Sequence, residues 1–219
     1  MRAVFLAAGM GTRMGAGTPK SLLKIGDKAI IERNFELLER AGLDISIVIG
    51  YHGWEFTERF GNRATYIYNY RYATTGSLYS LWVAAQALRD KGGLIACFAD
   101  VFADPAVIIP ILYRPNTITV LPGYDGRGTR VYVESDRVAH AGEPATPPDK
   151  HGVSFSGFAH LSADRLSRLP GTQNFEHASL TAGLVGCRAL LVATAININT
   201  PEDLEYVRET YGTELLHPI

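Results

Sequence analysis

The sequence of 219 residues predicts a layered α/β domain with a largely parallel sheet in its first half. Two observations lead to this prediction. Short apolar runs alternate with segments of helical periodicity, and 47% hydrophobic with 20% charged residues is an ordinary globular composition. Strands joined by helices pair in parallel through right-handed crossovers, which places the helices on the faces of the sheet.

The first half supplies four predicted strands and two predicted helices. Each strand is a short, mainly apolar run, and the four lie at residues 2–7, 45–50, 65–69 and 94–99. Residues 30–41 carry apolar side chains at helical spacing, and Gly42 is a typical helix stop. Residues 77–88 follow Thr75 and Gly76, which are suitable capping residues, and form the second predicted helix.

In the second half, strands and helices are not predicted to alternate regularly, and strands are more frequent. Strands are predicted at 118–121, 130–134, 137–140, 154–160 and 191–198, and helices at 174–190 and 201–211. Ser135 and Asp136 join two of these strands as a hairpin, and Pro201 suits the first turn of the last helix. Residues 142–152, rich in proline and polar side chains, predict an exposed loop.

Charge and hydropathy narrow the choice of partners. The net charge is -1 and the pI is about 6.6, which indicates no basic field of the kind that attracts nucleic acid or anionic lipid. No apolar run approaches the roughly 18 residues of a membrane span, and residues 1–8 are too short for a signal-peptide core. Cys97 and Cys187 lie in hydrophobic stretches, as core residues do. We therefore expect a cytoplasmic protein with no nucleic-acid or membrane partner.

A glycine-rich segment after the first predicted strand carries the strongest functional signal. It runs Leu6-Ala7-Ala8-Gly9-Met10-Gly11-Thr12-Arg13-Met14, and Pro19-Lys20 follows shortly afterwards. Gly9 and Gly11 let the backbone approach phosphate oxygens, and successive N–H groups can form an anion nest. Arg13 and Lys20 add cationic donors. This pattern at the carboxyl end of a strand indicates a triphosphate site.

Two other phosphate-binding motifs fit the segment poorly. A dinucleotide-binding loop feeds directly into its helix with a third glycine at fixed spacing, whereas Gly15 comes one position late and Gly17 and Pro19 would break the helix. Residues 49–52, where the second strand ends, offer no acid for a ribose hydroxyl. The Gly-Lys-Ser/Thr sequence of a P-loop is also missing.

Asp100 follows the apolar strand at 94–99, so its carboxylate is expected at the same edge of the sheet as the glycine-rich segment. A carboxylate facing phosphate oxygens suits Mg²⁺, which would offset charge that develops during phosphoryl chemistry. Asp104 precedes Pro105 and is expected to begin a helix instead.

These motifs resemble the nucleotidyltransferases that activate sugar phosphates and small phosphorylated alcohols. The resemblance rests on Leu-Ala-Ala-Gly-x-Gly-Thr-Arg-Met with Pro-Lys, on Asp100-Val101, and on Ile-Asn-Ile-Asn-Thr-Pro-Glu-Asp-Leu at 196–204. It implies one domain over 1–219, a three-layer Rossmann-like sandwich with a mixed central sheet of the nucleotide-diphospho-sugar transferase type. It also implies that residues 1–112 mainly bind the nucleotide and 113–219 mainly the acceptor.

The resemblance also implies a metal site and a catalytic set. Many relatives place a second acidic ligand at the position of Asn197, or in another register of Asn199, so the implied Mg²⁺ ligands are Asp100 and Asn197. Arg13 and Lys20 are the implied catalytic cations. Attack by an ionised acceptor phosphate would need positioning and charge stabilisation but no strong base.

Residues 69–82 resemble the Asn-x-x-Tyr-x-x-Thr…Ser-Leu segment of phosphocholine and aminoethylphosphonate cytidylyltransferases. The implied reaction moves CMP from CTP to a small phosphorylated alcohol or phosphonate, with release of pyrophosphate. The implied nucleotide-binding residues are Leu6, Ala7, Ala8, Gly9, Gly11, Thr12, Thr75, Gly76 and Ser80. The implied acceptor-binding residues are Tyr72, because aromatic faces suit a cationic group, and Glu176.

Three alternatives stay open at this point. The acceptor could be a sugar 1-phosphate, or a molybdopterin with GTP as donor, since molybdopterin guanylyltransferases share Asn-Ile-Asn-Thr-Pro at 197–201. The third alternative is a nucleotide sensor that lost its chemistry through Asn197. The oligomeric state is open as well, and includes a homodimer.

Overall fold

The computed structural model describes residues 1–11, 14–15, 17–89, 92–124, 129–142, 152–169 and 183–211. In chain order these form β1 (Arg2–Leu6), β2 (Lys24–Ile25), β3 (Lys28–Ala29), α1 (Ile30–Arg40), β4 (Asp44–Ile49), α2 (Gly53–Phe60), β5 (Thr65–Tyr68), α3 (Ser77–Ala87), β6 (Leu94–Phe98), β7 (Val101–Ala103), α4 (Pro105–Ile108), β8 (Thr117–Leu121), β9 (Arg130–Glu134), β10 (Arg137–Ala141), β11 (Val153–Leu161), α5 (Ala163–Ser167), β12 (Arg188–Leu191), β13 (Ala195–Asn197) and α6 (Pro201–Tyr211). Short 3₁₀ turns lie at Lys20–Leu22, Gly61–Arg63 and Ile109–Ile111.

The described residues form a central sheet in the order β5-β4-β1-β6-β11-β8-β12-β10-β9. Its first four strands are parallel, and β11 then runs antiparallel to both β6 and β8. Leu6 pairs with Val48 on one side and Phe98 on the other, so β1, β4 and β6 end together at one edge. The sheet is therefore mixed, as predicted, and its parallel part brings the residues after β1 and β6 to a common edge.

The core lies on both faces of this sheet, because alternate side chains of a strand point to opposite faces. Phe5 packs in one cluster with Phe35 of α1, whose ring centroid lies 4.6 Å from that of Phe60 in α2. Val4 packs in a second cluster with Leu81 of α3. Helices cover both faces of the sheet, which confirms the predicted three-layer sandwich.

Most predicted elements have the predicted type, with boundaries that differ by one or two residues. The hairpin joined by Ser135 and Asp136 forms between β9 and β10, and Asp104 caps α4 by accepting from the N–H of Ala106. The short helix α2 was not predicted. It has 8 residues, and its buried Phe56 and Phe60 give only two turns of periodicity.

The prediction for residues 174–198 was wrong in its described part. The predicted helix at 174–190 would include β12, but Arg188–Leu191 is a strand parallel to β8. A turn with a hydrogen bond from the Cys187 N–H to the Leu184 carbonyl precedes it, and Gly186 has φ +82. The predicted strand at 191–198 is interrupted after Leu191, and β13 pairs with β7 outside the central sheet. Residues 174–182 of the helix and 143–151 of the predicted loop lie outside the described residues.

Both cysteines are buried, as predicted, and burial raises the pKa of both thiols. Among the described residues, no helix is long and apolar enough to cross a membrane.

Candidate functional site

A cavity of about 370 Å³ opens at the sheet edge where β1 and β6 end. It collects residues from the glycine-rich segment, the turn at Lys20, the stretch between β5 and α3, the end of β6 and the residues around β13. Its lining is Leu6, Ala7, Ala8, Gly9, Gly11, Lys20, Ser21, Asn69, Tyr72, Thr75, Gly76, Ser77, Ser80, Phe98, Ala99, Asp100, Asn197 and Asn199. Most of the residues predicted to bind the nucleotide or the metal therefore line one cavity.

The glycine-rich segment approaches Lys20 closely because of Gly11. This residue has φ +60, a conformation that favours glycine, and the N–H of Met14 donates to its carbonyl at 2.9 Å. A Cβ at position 11 would lie 3.1 Å from the Cβ of Lys20. Glycine thus permits both the turn and the contact. Thr12 and Arg13 lie outside the described residues, so their predicted roles stay predictions.

Lys20 is held by two oxygens that come from distant parts of the chain. Its Nζ lies 2.5 Å from Oδ2 of Asp100 and donates to Oδ1 of Asn199 at 3.0 Å. The side chains of Lys20 and Asp100 are 15% and 25% exposed, so bulk water screens this pair only in part. The ammonium group is therefore fixed at the cavity wall beside a carboxylate.

Asn197 presents a buried acceptor without a partner. Its Oδ1 is buried, and no described residue donates a hydrogen bond to it. Asp100 stays beside this residue because Asn197 pairs with Val101 between β13 and β7, and the Ile198 N–H donates to the Asp100 carbonyl at 3.0 Å. A buried unsatisfied oxygen in a cavity indicates a missing donor or cation.

Asp100 and Asn197 together fit a Mg²⁺ site. Mg²⁺ prefers oxygen ligands, takes few of them from the protein and completes its coordination with phosphate oxygens and water. The described part of the chain brings together no cluster of three or more His, Cys, Asp or Glu side chains, so an ion in this cavity would meet one carboxylate and one amide oxygen instead.

Asp203 orients the segment that carries both asparagines. Its Oδ2 accepts from the backbone N–H groups of Asn199 at 2.9 Å and Thr200 at 3.0 Å, and its own N–H donates to Oγ1 of Thr200 at 3.2 Å. This reciprocal cap begins α6, and Asp203 is only 6% exposed. The cap sets the direction from which the Asn199 amide reaches Lys20.

Replacing Asp203 by Ala is expected to lower the free energy of unfolding by about 2–3 kcal/mol, because two donors lose a buried partner. Asp104→Ala is the matched control, since its exposed carboxylate caps α4 through one bond of 2.7 Å from the Ala106 N–H. The control should lose about 1 kcal/mol. Urea denaturation of both variants measures the two losses in the free energy of unfolding. Equal losses would contradict the expectation that the buried Asp203 cap stabilises the fold more than the exposed Asp104 cap.

Asn69 organises the part of the cavity lining that lies between β5 and α3. It is 1% exposed, and its Nδ2 donates to Oγ1 of Thr75 at 3.2 Å and to Oγ of Ser80 at 3.1 Å. Its Oδ1 accepts from the Arg71 N–H at 2.9 Å. No role for Asn69 was predicted from the sequence, although its position directly after β5 was an available signal.

Tyr72 lines this first cavity. Gly50 makes room for it, because a Cβ at position 50 would lie 2.6 Å from the Cβ of Tyr72 and 2.8 Å from the Ala8 carbonyl oxygen. The neighbouring tyrosines point elsewhere: the hydroxyl of Tyr66 donates to the Gly61 carbonyl at 2.7 Å, and Tyr70 is 86% exposed. The predicted acceptor role of Tyr72 stays a prediction, and Glu176 lies outside the described residues.

A second cavity of about 450 Å³ adjoins the first, and Asn197 lines both. The rings of Phe98 in the first and Phe155 in the second meet edge to face at 5.5 Å. The second cavity is lined by Leu121, Pro122, Gly123, Tyr124, Ser154, Phe155, Ser156, Ala193, Thr194, Ala195, Ile196, Asn197, Tyr206 and Tyr211. The guanidinium of Arg130 lies 4.1 Å from the ring centroid of Tyr124. Two adjoining cavities with one shared polar residue can hold two reactants end to end.

The chain also matches a known protein family. The model of the MobA-like NTP transferase domain matches residues 3–147, about two thirds of the chain. The chain belongs to this family. The match includes the glycine-rich segment, Lys20, Asn69 and Asp100, and it ends before Asn197 and the cap of α6.

Curated relatives of this NTP transferase domain cover it to different extents. A choline-phosphate cytidylyltransferase from Streptococcus pneumoniae is 38% identical over 98 residues, or 42% of this chain and 42% of the relative. The bifunctional IPC transferase and DIPP synthase of Thermococcus kodakarensis is 37% identical over 224 aligned residues, or 94% of this chain and 50% of the relative. The chain thus spans half or less of the length of these relatives.

Solved structures resemble the domain over nearly its whole length. The CTP:phosphocholine cytidylyltransferase from Streptococcus pneumoniae has a TM-score of 0.73 at 20% identity, covering 95% of this chain and 97% of the other. The inositol-1-phosphate CTP transferase from T. maritima has a TM-score of 0.78 at 16% identity, covering 100% and 97%. At this identity the likeness concerns the fold, and it confirms the predicted nucleotide-diphospho-sugar transferase type.

Proposed function

We propose that the chain is a cytidylyltransferase that moves CMP from CTP to a small phosphorylated alcohol or phosphonate and releases pyrophosphate. One observation carries the proposal: Lys20, Asp100 and Asn197 converge with the glycine-rich segment on one cavity, and a second cavity reaches the same Asn197. Relatives named for cytidylyl transfer to phosphocholine and to inositol 1-phosphate support this choice of reaction.

In this proposal the nucleotide lies in the first cavity, formed mainly by residues 1–112. The triphosphate lies against the backbone around Gly9 and Gly11, near Lys20, while the base and ribose lie near Thr75, Gly76 and Ser80. Arg13 would add a second cation from the same segment. The chemistry of the lining supports this placement, because Lys20 supplies a cation for the phosphates whereas Thr75 and Ser80 supply neutral hydroxyls for the base and ribose.

The acceptor lies in the second cavity, formed mainly by residues after 112. Its phosphate would point to Asn197 and its organic group to the aromatic and hydroxyl side chains, among them Tyr124, Ser154 and Tyr206. This wall offers ring faces and hydroxyl oxygens, which suit a small alcohol or an alkylammonium group. Tyr72 lines the first cavity and not the second, so this placement gives it no contact with the acceptor, and its predicted acceptor role stays a prediction. Glu176 lies outside the described residues, and its acceptor role is proposed from the resemblance alone.

The reaction is an in-line displacement at the α-phosphorus of CTP. An oxygen of the acceptor phosphate forms a bond to this phosphorus, and the bond from the phosphorus to the pyrophosphate oxygen breaks. The attacking oxygen is already ionised, so no side chain has to remove a proton. Lys20 would donate to the phosphate oxygens where negative charge builds up, and its position is set in advance by Asp100 and Asn199.

Asp100 and Asn197 would hold Mg²⁺, whose charge would stabilise the developing charge on the α-phosphate. Lys20 contacts Oδ2 of Asp100, so the other carboxylate oxygen, Oδ1, would face the ion while the ion pair with Lys20 stays in place. A cytoplasmic enzyme without nucleic-acid or membrane partners is part of the same proposal.

A pyrophosphate-release assay tests the proposal. CTP, UTP, GTP and ATP are each combined with phosphocholine, 2-aminoethylphosphonate, inositol 1-phosphate or glucose 1-phosphate, with and without Mg²⁺. We expect release that requires both CTP and a phosphorylated acceptor, and that stops when the metal is chelated. Tight nucleotide binding with no pyrophosphate release under any combination would instead favour the nucleotide sensor.

One rival donor has a specific observation in its favour. The matching family is described as MobA-like, and Asn197 and Asn199 flank Ile198 as in molybdopterin guanylyltransferases. Preference for GTP over CTP in the same assay would favour that rival, with a molybdopterin as the acceptor to be tested.

A further inference from the structure

The orientation of the Asn69 amide can be assigned from its partners. An amide oxygen and nitrogen differ in hydrogen-bonding role, so an unambiguous donor identifies the oxygen. The Arg71 N–H can only donate, and it lies 2.9 Å from Oδ1 of Asn69. The Nδ2 group therefore faces Thr75 and Ser80, at 3.2 Å and 3.1 Å.

This orientation also determines the directions of the two hydroxyls. The Thr75 hydroxyl donates to the Arg71 carbonyl at 2.7 Å, so its oxygen is available to accept from Asn69. The second Nδ2 hydrogen is then directed to Ser80, whose oxygen must accept it. The Ser80 hydroxyl donates to no acceptor among the described residues, and Ser80 lines the cavity while only 5% exposed. Its hydrogen is therefore left for a ligand.

We propose that Asn69 is a specificity-determining residue that makes Ser80 a hydrogen-bond donor to the base, and thereby selects cytosine over uracil. This inference rests on the proposed function, which places the base beside Ser80. The two bases differ at N3, which is an acceptor in cytosine and an N–H donor in uracil, whereas O2 is an acceptor in both, so the proposal places N3 opposite Ser80. The Ser80 hydrogen would donate to N3 of cytosine. With uracil, the second lone pair of Ser80 Oγ would accept the N3–H, and the buried Ser80 hydrogen would be left without an acceptor among the described residues. A buried mismatched polar pair discriminates strongly between otherwise similar ligands.

Asn69→Asp tests the relay, because an ionised carboxylate has nearly the shape of the amide but can only accept. The Ser80 hydroxyl would then donate to position 69 and present lone pairs to the base. We expect the ratio of kcat/KM for CTP to that for UTP to fall by about 10- to 100-fold. The ratio of the two dissociation constants, titrated without acceptor, should change in the same direction.

Two further variants test whether the change in the CTP to UTP ratio depends on Asn69 acting through Ser80. Asn116→Asp is the matched control: Oδ1 of Asn116 also accepts from a backbone N–H, that of Ser162, and this residue lines neither cavity. It should leave the CTP to UTP ratio unchanged. Ser80→Ala removes the proposed donor and should lower the ratio by itself. Adding Asn69→Asp to Ser80→Ala should then have no further effect on the ratio, because Asn69 acts through Ser80.

The outcomes separate this inference from the proposed function. If nucleotides bind but no acceptor yields pyrophosphate, the proposed reaction fails while the two dissociation constants still test the relay. Equal binding of CTP and UTP by the unmodified protein would overturn the inference. An unchanged ratio in Ser80→Ala would overturn it too, and this test remains available should Asn69→Asp not fold.

Discussion

Replacing Lys20 by Ala is expected to lower kcat/KM for pyrophosphate release by about 10²- to 10³-fold. The ammonium group is held 2.5 Å from Asp100 and 3.0 Å from Asn199, so it is positioned before the substrate arrives. A preorganised cation aimed at developing charge does not have to reorganise during the reaction, which makes its loss costly. The fold should survive, since Lys20 lines the cavity and belongs to neither of the two core clusters that pack on the faces of the sheet.

Lys28→Ala is the matched control for this variant. Lys28 also forms an ion pair, with Glu36 at 2.7 Å, but its side chain is 43% exposed and lines neither cavity. Exposed ion pairs contribute little to the free energy of unfolding, so we expect this variant to lose less than about 1 kcal/mol of stability. Its activity should change by less than about twofold. Pyrophosphate release and thermal denaturation compare the two variants. Undiminished activity of Lys20→Ala would remove this residue from the proposed mechanism.

Replacing Asp100 by Asn is expected to lower kcat by about 10²- to 10³-fold and to weaken Mg²⁺ binding about tenfold or more. The substitution preserves the shape of the side chain but removes the only carboxylate that lines the described first cavity. Both proposed metal ligands would then be neutral amides. Lys20 would lose its counter-charge as well, so the ammonium group would be less firmly placed.

Metal binding can be measured separately from activity, by calorimetric titration with Mn²⁺ in the presence of a non-hydrolysable CTP analogue. Asp104→Asn is the control, because Asp104 lies only four residues away but caps α4 outside both cavities. The reciprocal variant Asn197→Asp adds a carboxylate where Oδ1 lacks a partner, and should tighten metal binding. Equal Mn²⁺ affinity in Asp100→Asn and the unmodified protein would exclude Asp100 as a metal ligand.

Local sequence was sufficient for much of the secondary structure and for the identity of the cavity-lining segments. Apolar runs such as that of β1 and the helical spacing of α1 are visible within one short window. The glycine-rich segment could be interpreted in the same way, since glycine at positions 9 and 11 permits backbone conformations and close approaches that other residues do not. The placement of Asp100 also followed from local pattern, because parallel strands bring their carboxyl ends to one edge.

Local pattern failed where tertiary pairing outweighed it. The stretch before β12 was predicted as a helix, yet Arg188–Leu191 pairs with β8 after a turn at Gly186. This strand is four residues long and begins with an arginine, and so short an apolar stretch does not distinguish a strand from a buried helix. The short helix α2 escaped prediction for a related reason, since two turns give little periodicity.

By itself, the sequence determined which side chains could meet a triphosphate, because glycine, lysine and carboxylate chemistry is a property of the residues and their local spacing. Only the tertiary structure decided that Lys20 lies between Asp100 and Asn199, which comes 179 positions after Lys20. It also decided that Oδ1 of Asn197 is buried with no partner among the described residues. The direction of the Asn69 amide was likewise decided by Arg71, Thr75 and Ser80 together. Hydrogen bonds require distances near 3 Å and defined angles, and strand register and packing across the whole sheet set those distances.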